Sequence, residues 1–174
     1  MSLSRDNLYM IIGAVVAVLL QFILAPHIAI GNALPNFVAV FVFLCAIVRC
    51  QTFGPVLPFV LGLLYDLACG GVVGAMAFSL TLFAYLTARV FSTMDNDTVF
   101  MPIATMAAGI LLCELSYGII LLICGYDAGF GGVLLHIILP CFLYSAILAA
   151  VLFPLAARLF VNDEPTNPNV TRLR

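Results

Sequence analysis

The sequence contains no lysine and only six arginines among its 174 residues. With eight acidic residues, charged side chains make up 8% of the chain, against roughly 25% in ordinary soluble domains. So few charges cannot solvate a globular surface. With 65% hydrophobic residues, the same shortage excludes a disordered chain. No basic patch exists to neutralise phosphates, which excludes a nucleic-acid binder. The six cysteines, Cys45, Cys50, Cys69, Cys113, Cys124 and Cys141, form no C-x-x-C pair, and His27 and His136 stand far apart. No metal site is expected from such spacing. The G-x-S-x-G, H-E-x-x-H and Walker A patterns are missing too. The cysteines read as small apolar packing residues. A Cys69–Cys124 disulfide is compatible with the topology below but not demanded by it.

What the sequence does have is long apolar runs, with a mean hydropathy of +1.25. At about 20 residues per crossing, they predict one all-α polytopic membrane domain with six spans. These are 8–28, 35–48, 53–68, 73–91, 98–124 and 133–161, followed by a loose polar tail at 162–174. The first run is too long for the apolar core of a cleaved signal peptide and reads as a retained span. Pro35 suits the first turn of the second span. Asp97 or Thr98 suits the N-cap of the fifth.

Arginine alone sets the orientation. Arg5, Arg49, Arg89, Arg158, Arg172 and Arg174 all fall on one side of this six-span arrangement. The opposite connections, around Gly31–Asn32, Cys69–Gly71 and Gly125–Gly132, contain no arginine. Positive residues stay inside, so both termini are expected in the cytoplasm.

Three ionisable residues fall inside spans, where such groups are expensive and turn towards the bundle interior or a cavity. Asp66 lies at the outer, C-terminal end of span 3, where its own helix dipole disfavours a carboxylate. It reads either as a hydrated interfacial group or as a hydrogen-bonding hub that pins the following Gly70-Gly71 turn. Gly54, Pro58, Gly62 and Asp66 form a stripe of period four, and small residues on it admit a neighbouring helix. Glu114 lies deep in span 5. It reads either as a neutral acid bonded to a neighbouring helix or as a cavity-lining group. His136 is one turn into span 6. Pro140 frees its carbonyl and is expected to kink the helix there, with Tyr144 on roughly the same face. Together, Glu114, His136 and Tyr144 are candidates for a shallow polar cavity open to the outside. In span 1, Gly13 and Ala17 form a small-residue packing pair.

The order of features along residues 18–90 is more specific than any one of them. Leu19-Leu20-Gln21 precedes Pro26. Pro35-Asn36-Phe37 opens a short apolar helix that ends at Arg49. Gly62-Leu63-Leu64-Tyr65-Asp66 leads into the Gly70-Gly71 turn and Gly74. The next helix ends Tyr85-Leu86-Thr87-Ala88-Arg89. This order resembles the rod shape-determining protein MreD family. Asn36 stands where that family usually carries Asp.

The resemblance implies a non-enzymatic membrane scaffold of the bacterial cell-elongation complex, which makes peptidoglycan and maintains rod shape. It implies a multi-pass protein of the cytoplasmic membrane without cofactors. Its partners would be an MreC-like single-span protein and, directly or indirectly, a penicillin-binding transpeptidase and a RodA-type glycosyltransferase. The MreB filament would be reached indirectly. It also implies an architecture similar to the substrate-binding subunits of energy-coupling-factor transporters. Asp66, Gly62, Gly70, Gly71, Gly74, Pro35 and Asn36 become the structural or partner-binding candidates. The alternative of another class is a vitamin-binding subunit of such a transporter. Against it, the first two outer connections are short and uncharged, leaving little to close over a ligand.

Overall fold

A computed structural model of the chain describes residues 5–29, 34–69, 72–94, 100–125 and 138–160, the side chains of 5–7 and 155–160 excepted. Among the described residues there are six α-helices and no strand. They are α1 (Arg5–Leu19), α2 (Phe37–Val48), α3 (Val56–Cys69), α4 (Ala75–Thr93), α5 (Phe100–Ile123) and α6 (Leu139–Phe160). A π-helical turn at Leu20–Leu24 and a 3-10 turn at Ala25–Ile28 extend α1. Leu8–Ile28, Ala75–Thr93 and Phe100–Ile123 are long and apolar enough to cross a membrane, while α2, α3 and the part of α6 up to Pro154 are shorter apolar helices.

The shortness of α2 has a physical reason. Its 12 residues rise only about 18 Å, well under the roughly 30 Å of a hydrocarbon core. Every one of them except Phe41 is buried. A helix that is apolar all round must be covered on all sides, and α2 is packed by α1, α4, α5 and α6. It therefore meets protein and not lipid, and its non-helical approach at 35–36 is tolerated at depth because both residues are buried too. Phe43, Ile47, Val38 and Val42 form the centre of the core, with Leu80, Phe91, Met106, Ile110 and Phe153 around them. The outward faces of the surrounding helices are apolar, such as Ile11, Val15 and Leu19 on α1 and Leu143, Ile147 and Val151 on α6.

Small residues set three close approaches. A side chain on Gly13 would run into the Phe41 ring, one on Gly109 into Phe43 and Thr87, and one on Gly62 into the backbone of Ala77. Ala17, the other half of the α1 pair, is buried.

Two expectations are corrected. Pro35 does not lie in the first turn of the second helix. It precedes Asn36, which is the N-cap of α2, because the Asn side chain can satisfy a helix-end N–H and the Pro ring cannot. Gly54 does not share the close approach of Gly62. It lies before α3, exposed, with open space where a side chain would go. Pro58, Gly62 and Asp66 do share the buried face of α3. The candidate caps Asp97 and Thr98, the Gly70-Gly71 turn, the start of span 6 and the tail after residue 160 lie outside the described residues.

Candidate functional site

Among the described residues, the buried Gln21, Asn36, Asp66, Glu114 and Ser145 gather at two helix N-termini. A helix start leaves N–H groups without intrahelical partners. In a membrane interior no water is available to take them, so side chains from elsewhere must.

The first cluster closes α4. Gly74 sits at the helix start with φ +96° and offers no side chain of its own as a cap. That left-handed backbone suits glycine. The cap comes from the end of the preceding helix. Asp66, 1% exposed, accepts the backbone N–H of Gly74 at 2.9 Å and of Ala77 at 3.1 Å on Oδ2. The N–H of Met76 reaches Oδ2 at 3.0 Å and Oδ1 at 3.1 Å. Asp66 thus stands at the unfavourable end of its own helix dipole but at the favourable end of the next. Gly62, one turn earlier on α3, lets the two helices approach closely enough for these bonds. A Cβ there would lie 2.5 Å from Ala77 Cα and 3.0 Å from the Met76 carbonyl oxygen. Further along α4, the Ser79 hydroxyl donates to the Ala75 carbonyl at 2.9 Å and lies 3.2 Å from Ser116 Oγ on α5.

The second cluster closes α2 and draws on three other segments. The Asn36 N–H donates to Ser145 Oγ of α6 at 3.0 Å. The Phe37 N–H donates to Gln21 Oε1, in the π turn, at 2.7 Å. The Ala39 N–H donates to Asn36 Oδ1 at 2.9 Å, the local N-cap bond. Asn36 Nδ2 then donates to Glu114 Oε1 of α5 at 2.9 Å. Asn36 and Glu114 are 4% and 7% exposed. Nearby, the Tyr144 hydroxyl donates to the Ile28 carbonyl at 3.2 Å, tying α6 to the end of the first crossing.

Of the residues singled out from sequence, Asp66, Gly62 and Gly74 meet in the first cluster, and Asn36 and Glu114 meet in the second. Pro35 is buried beside Asn36. Tyr144 bonds backbone next to the second cluster. His136, Gly70 and Gly71 lie outside the described residues, as does the kink expected where Pro140 meets the His136 carbonyl. Cys69 and Cys124 are free and exposed. Of the second cluster, sequence reasoning quoted Gln21 only as a motif residue, without a role, and missed Ser145. The available signal was a lone amide and a lone hydroxyl within otherwise apolar runs, both buried. Among the described residues, no group of three His, Cys, Asp or Glu side chains could hold a metal ion.

The Asn36–Glu114 bond makes a testable pair. Asn36→Asp sets a second carboxyl against Glu114 and removes the donor, with an expected loss of about 1–3 kcal/mol. Adding Glu114→Gln restores a donor–acceptor pair with its direction reversed and should recover at least half of that loss. Thermal unfolding in detergent of both single variants and the double variant reads the coupling. Strictly additive losses would mean that the two side chains do not bond.

The family model for rod shape-determining protein MreD matches residues 4–162 of the chain. No curated protein and no solved structure matches it.

Proposed function

From the premise that the chain belongs to the MreD family, a family of multi-pass membrane proteins of rod-shape determination, we propose that it is a non-enzymatic scaffold of the cell-elongation complex in the bacterial cytoplasmic membrane. It acts through an MreC-like single-span partner, and through it reaches the transpeptidase, the RodA-type glycosyltransferase and the MreB filament. The observation that supports this reading is how the intramembrane polar side chains are engaged. Asp66, Asn36, Gln21 and Ser145 each accept backbone N–H groups at helix starts, and Glu114 is bonded to Asn36. Such bonds fix helix positions, which is what a scaffold that works through its helix faces requires. The family match gives the vitamin-binding alternative no support. Depletion should round up rod-shaped cells, and a tagged copy should co-purify with an MreC-like protein. Retention of stoichiometric flavin or thiamine after gentle extraction, without such a partner, would overturn the reading.

The proposal includes six crossings with both termini in the cytoplasm, supported by the one-sided arginines. Reporter fusions after Arg49, Arg89 and Arg174 should behave as cytoplasmic. Fusions after Gly31, Gly71 and Gly131 should behave as external. A cytoplasmic signal after Gly131 would mean that the last two crossings are misassigned.

A further inference from the structure

The first crossing changes its winding part-way. It is α-helical from Arg5 to Leu19 and opens into a π turn at Leu20–Leu24. There the Ala25 N–H donates to the Leu20 carbonyl, five residues back instead of four. Such a turn holds one residue more than an α-helical turn, and it recurs at functional sites. Beyond it the chain is tied down. Ala25 is fully buried, and the Ile28 carbonyl accepts from the Tyr144 hydroxyl. Before it, the arm Arg5–Leu19 is held less firmly. Gly13 lies against the Phe41 ring of α2 and Ala17 is buried, but an open apolar groove of about 690 Å³ separates the arm from α3.

The π turn keeps the inward stripe of this crossing in line. In a regular α-helix, residues four apart drift by about 40° at each step. The wider turn takes back that drift between Gln21 and Ala25, both buried. It thereby aims Gln21 at the start of α2, where its Oε1 accepts the Phe37 N–H at 2.7 Å. Closing the turn to an α-helical one, with Ala25 held, gives a second register. The arm then slides by about 1.5 Å and rotates by about 100°, one residue's worth. Ala14 and Val18 move into the places of Gly13 and Ala17, and Phe22 into that of Gln21, so the Phe37 N–H loses its acceptor. On the groove side, Ala14 and Val18 now form the arm's part of the floor. Val15 and Leu19 replace them, and both are larger than the residue each displaces. The groove that the present register holds open is filled in the other.

We propose that the π turn at Leu20–Leu24 is a register switch for the arm Arg5–Leu19, latched by the Gln21–Phe37 hydrogen bond. Latched, the groove beside α3 is open. Released, the arm turns by one residue and closes it. Because the latch is one of the bonds that cap α2, a change at that cap alters the face that α1 presents. In a scaffold that works through helix faces, this changes the surface offered to a partner. That use rests on the function proposed above and is read by co-purification. The switch itself does not rest on it and is read by the footprint described next.

The test uses the full chain in nanodiscs, a small hydrophobic diazirine activated by light, and mass spectrometry to locate the label on α1. In the unsubstituted protein, label should fall on the exposed Ile12, Val15, Val16 and Leu19. In Gln21→Leu, label at Val15 and Leu19 should fall at least threefold as they turn to the groove, while Ile12 and Val16 keep theirs. Gln21→Glu keeps an acceptor oxygen at the same reach and should keep the parent pattern. Deletion of Ile23, a side chain 63% exposed, removes the surplus residue of the turn. Alone it should leave the parent pattern, and combined with Gln21→Leu it should restore it. A helix merely loosened by Gln21→Leu would not be rescued in this way. The parent pattern in Gln21→Leu would overturn the switch, as would a shifted pattern that the deletion fails to restore. Should Gln21→Leu alone fail to accumulate, the combined variant is expected to fold with the parent pattern, and its failure to do so would also overturn the proposal.

Discussion

Asp66→Leu is expected to lower the stability of the bundle by about 3–5 kcal/mol, while Asp66→Asn is expected to cost only about 1 kcal/mol. The difference follows from what the carboxylate holds. Leucine leaves the N–H groups of Gly74, Met76 and Ala77 without their acceptor. Each buried unsatisfied group costs roughly 1–3 kcal/mol, and hydrocarbon offers no water in compensation. Asparagine can place its oxygen where Oδ2 now takes all three donors, and Asn caps helices about as well as Asp. Its loss is the charge at the α4 dipole, roughly 0.3–1 kcal/mol at exposed sites and up to ~2 where partly buried, and the second contact to Met76. Thermal unfolding in detergent, with the amount of protein in the membrane as a second readout, separates the variants. Equal damage from Asn and Leu would show that the negative charge is required. Two silent substitutions would show that water already serves these N–H groups.

Much of this arrangement was legible in sequence, and the boundary of legibility is physical. The apolar runs located the helices, since burial in lipid or core demands them whatever the partners. The stripe through Pro58, Gly62 and Asp66 was visible because residues four apart share a helix face. The hub reading of Asp66 named the Gly70-Gly71 turn, which lies outside the described residues; the donors the structure shows, Gly74, Met76 and Ala77, stand 8 to 11 residues on, at the start of the next helix. Gly54 was misjudged because periodicity was carried past the start of α3 into a segment that is not helical.

The second cluster was only half legible. Asn36 was visible, before an apolar run, as the polar residue of a family motif. Glu114 stood out as an acid within a span. Nothing local joins them, since 78 residues separate the pair, and 109 separate Asn36 from Ser145. Helical periodicity reports which face of a helix is covered and says nothing about what covers it. Gln21 was harder still. The backbone becomes π-helical at Leu20–Leu24, a widening that shifts side chains off the regular 3.6-residue register. Pro35 was misplaced for a related reason: either Pro35 or Asn36 can begin a helix, and only the Ala39 N–H bonded to Asn36 Oδ1 decides between them.

The largest loss is expected from Gly62→Val, because it acts on packing and hydrogen bonding together. The new Cβ would meet the Ala77 backbone at 2.5 Å and 2.8 Å. No flexible side-chain end is there to yield, so α3 and α4 must move apart. Overpacking alone costs typically 1–3 kcal/mol. Here Ala77 and its neighbour Met76 also donate to Asp66, so separating the helices stretches those bonds as well. The expected total is about 4 kcal/mol or more, enough to deplete folded protein in the membrane. Gly62→Ala places the same Cβ in the same contact and should show a smaller version of the effect. The mechanism has a signature that simple crowding lacks. If Gly62 matters partly by permitting the Asp66 bonds, then Gly62→Ala should lose much of its effect in an Asp66→Leu background, where no such bonds remain. A double-mutant cycle should therefore show a coupling of about 1 kcal/mol or more between the two positions. Independent, additive losses would mean that Gly62 spaces the helices without serving the α4 cap.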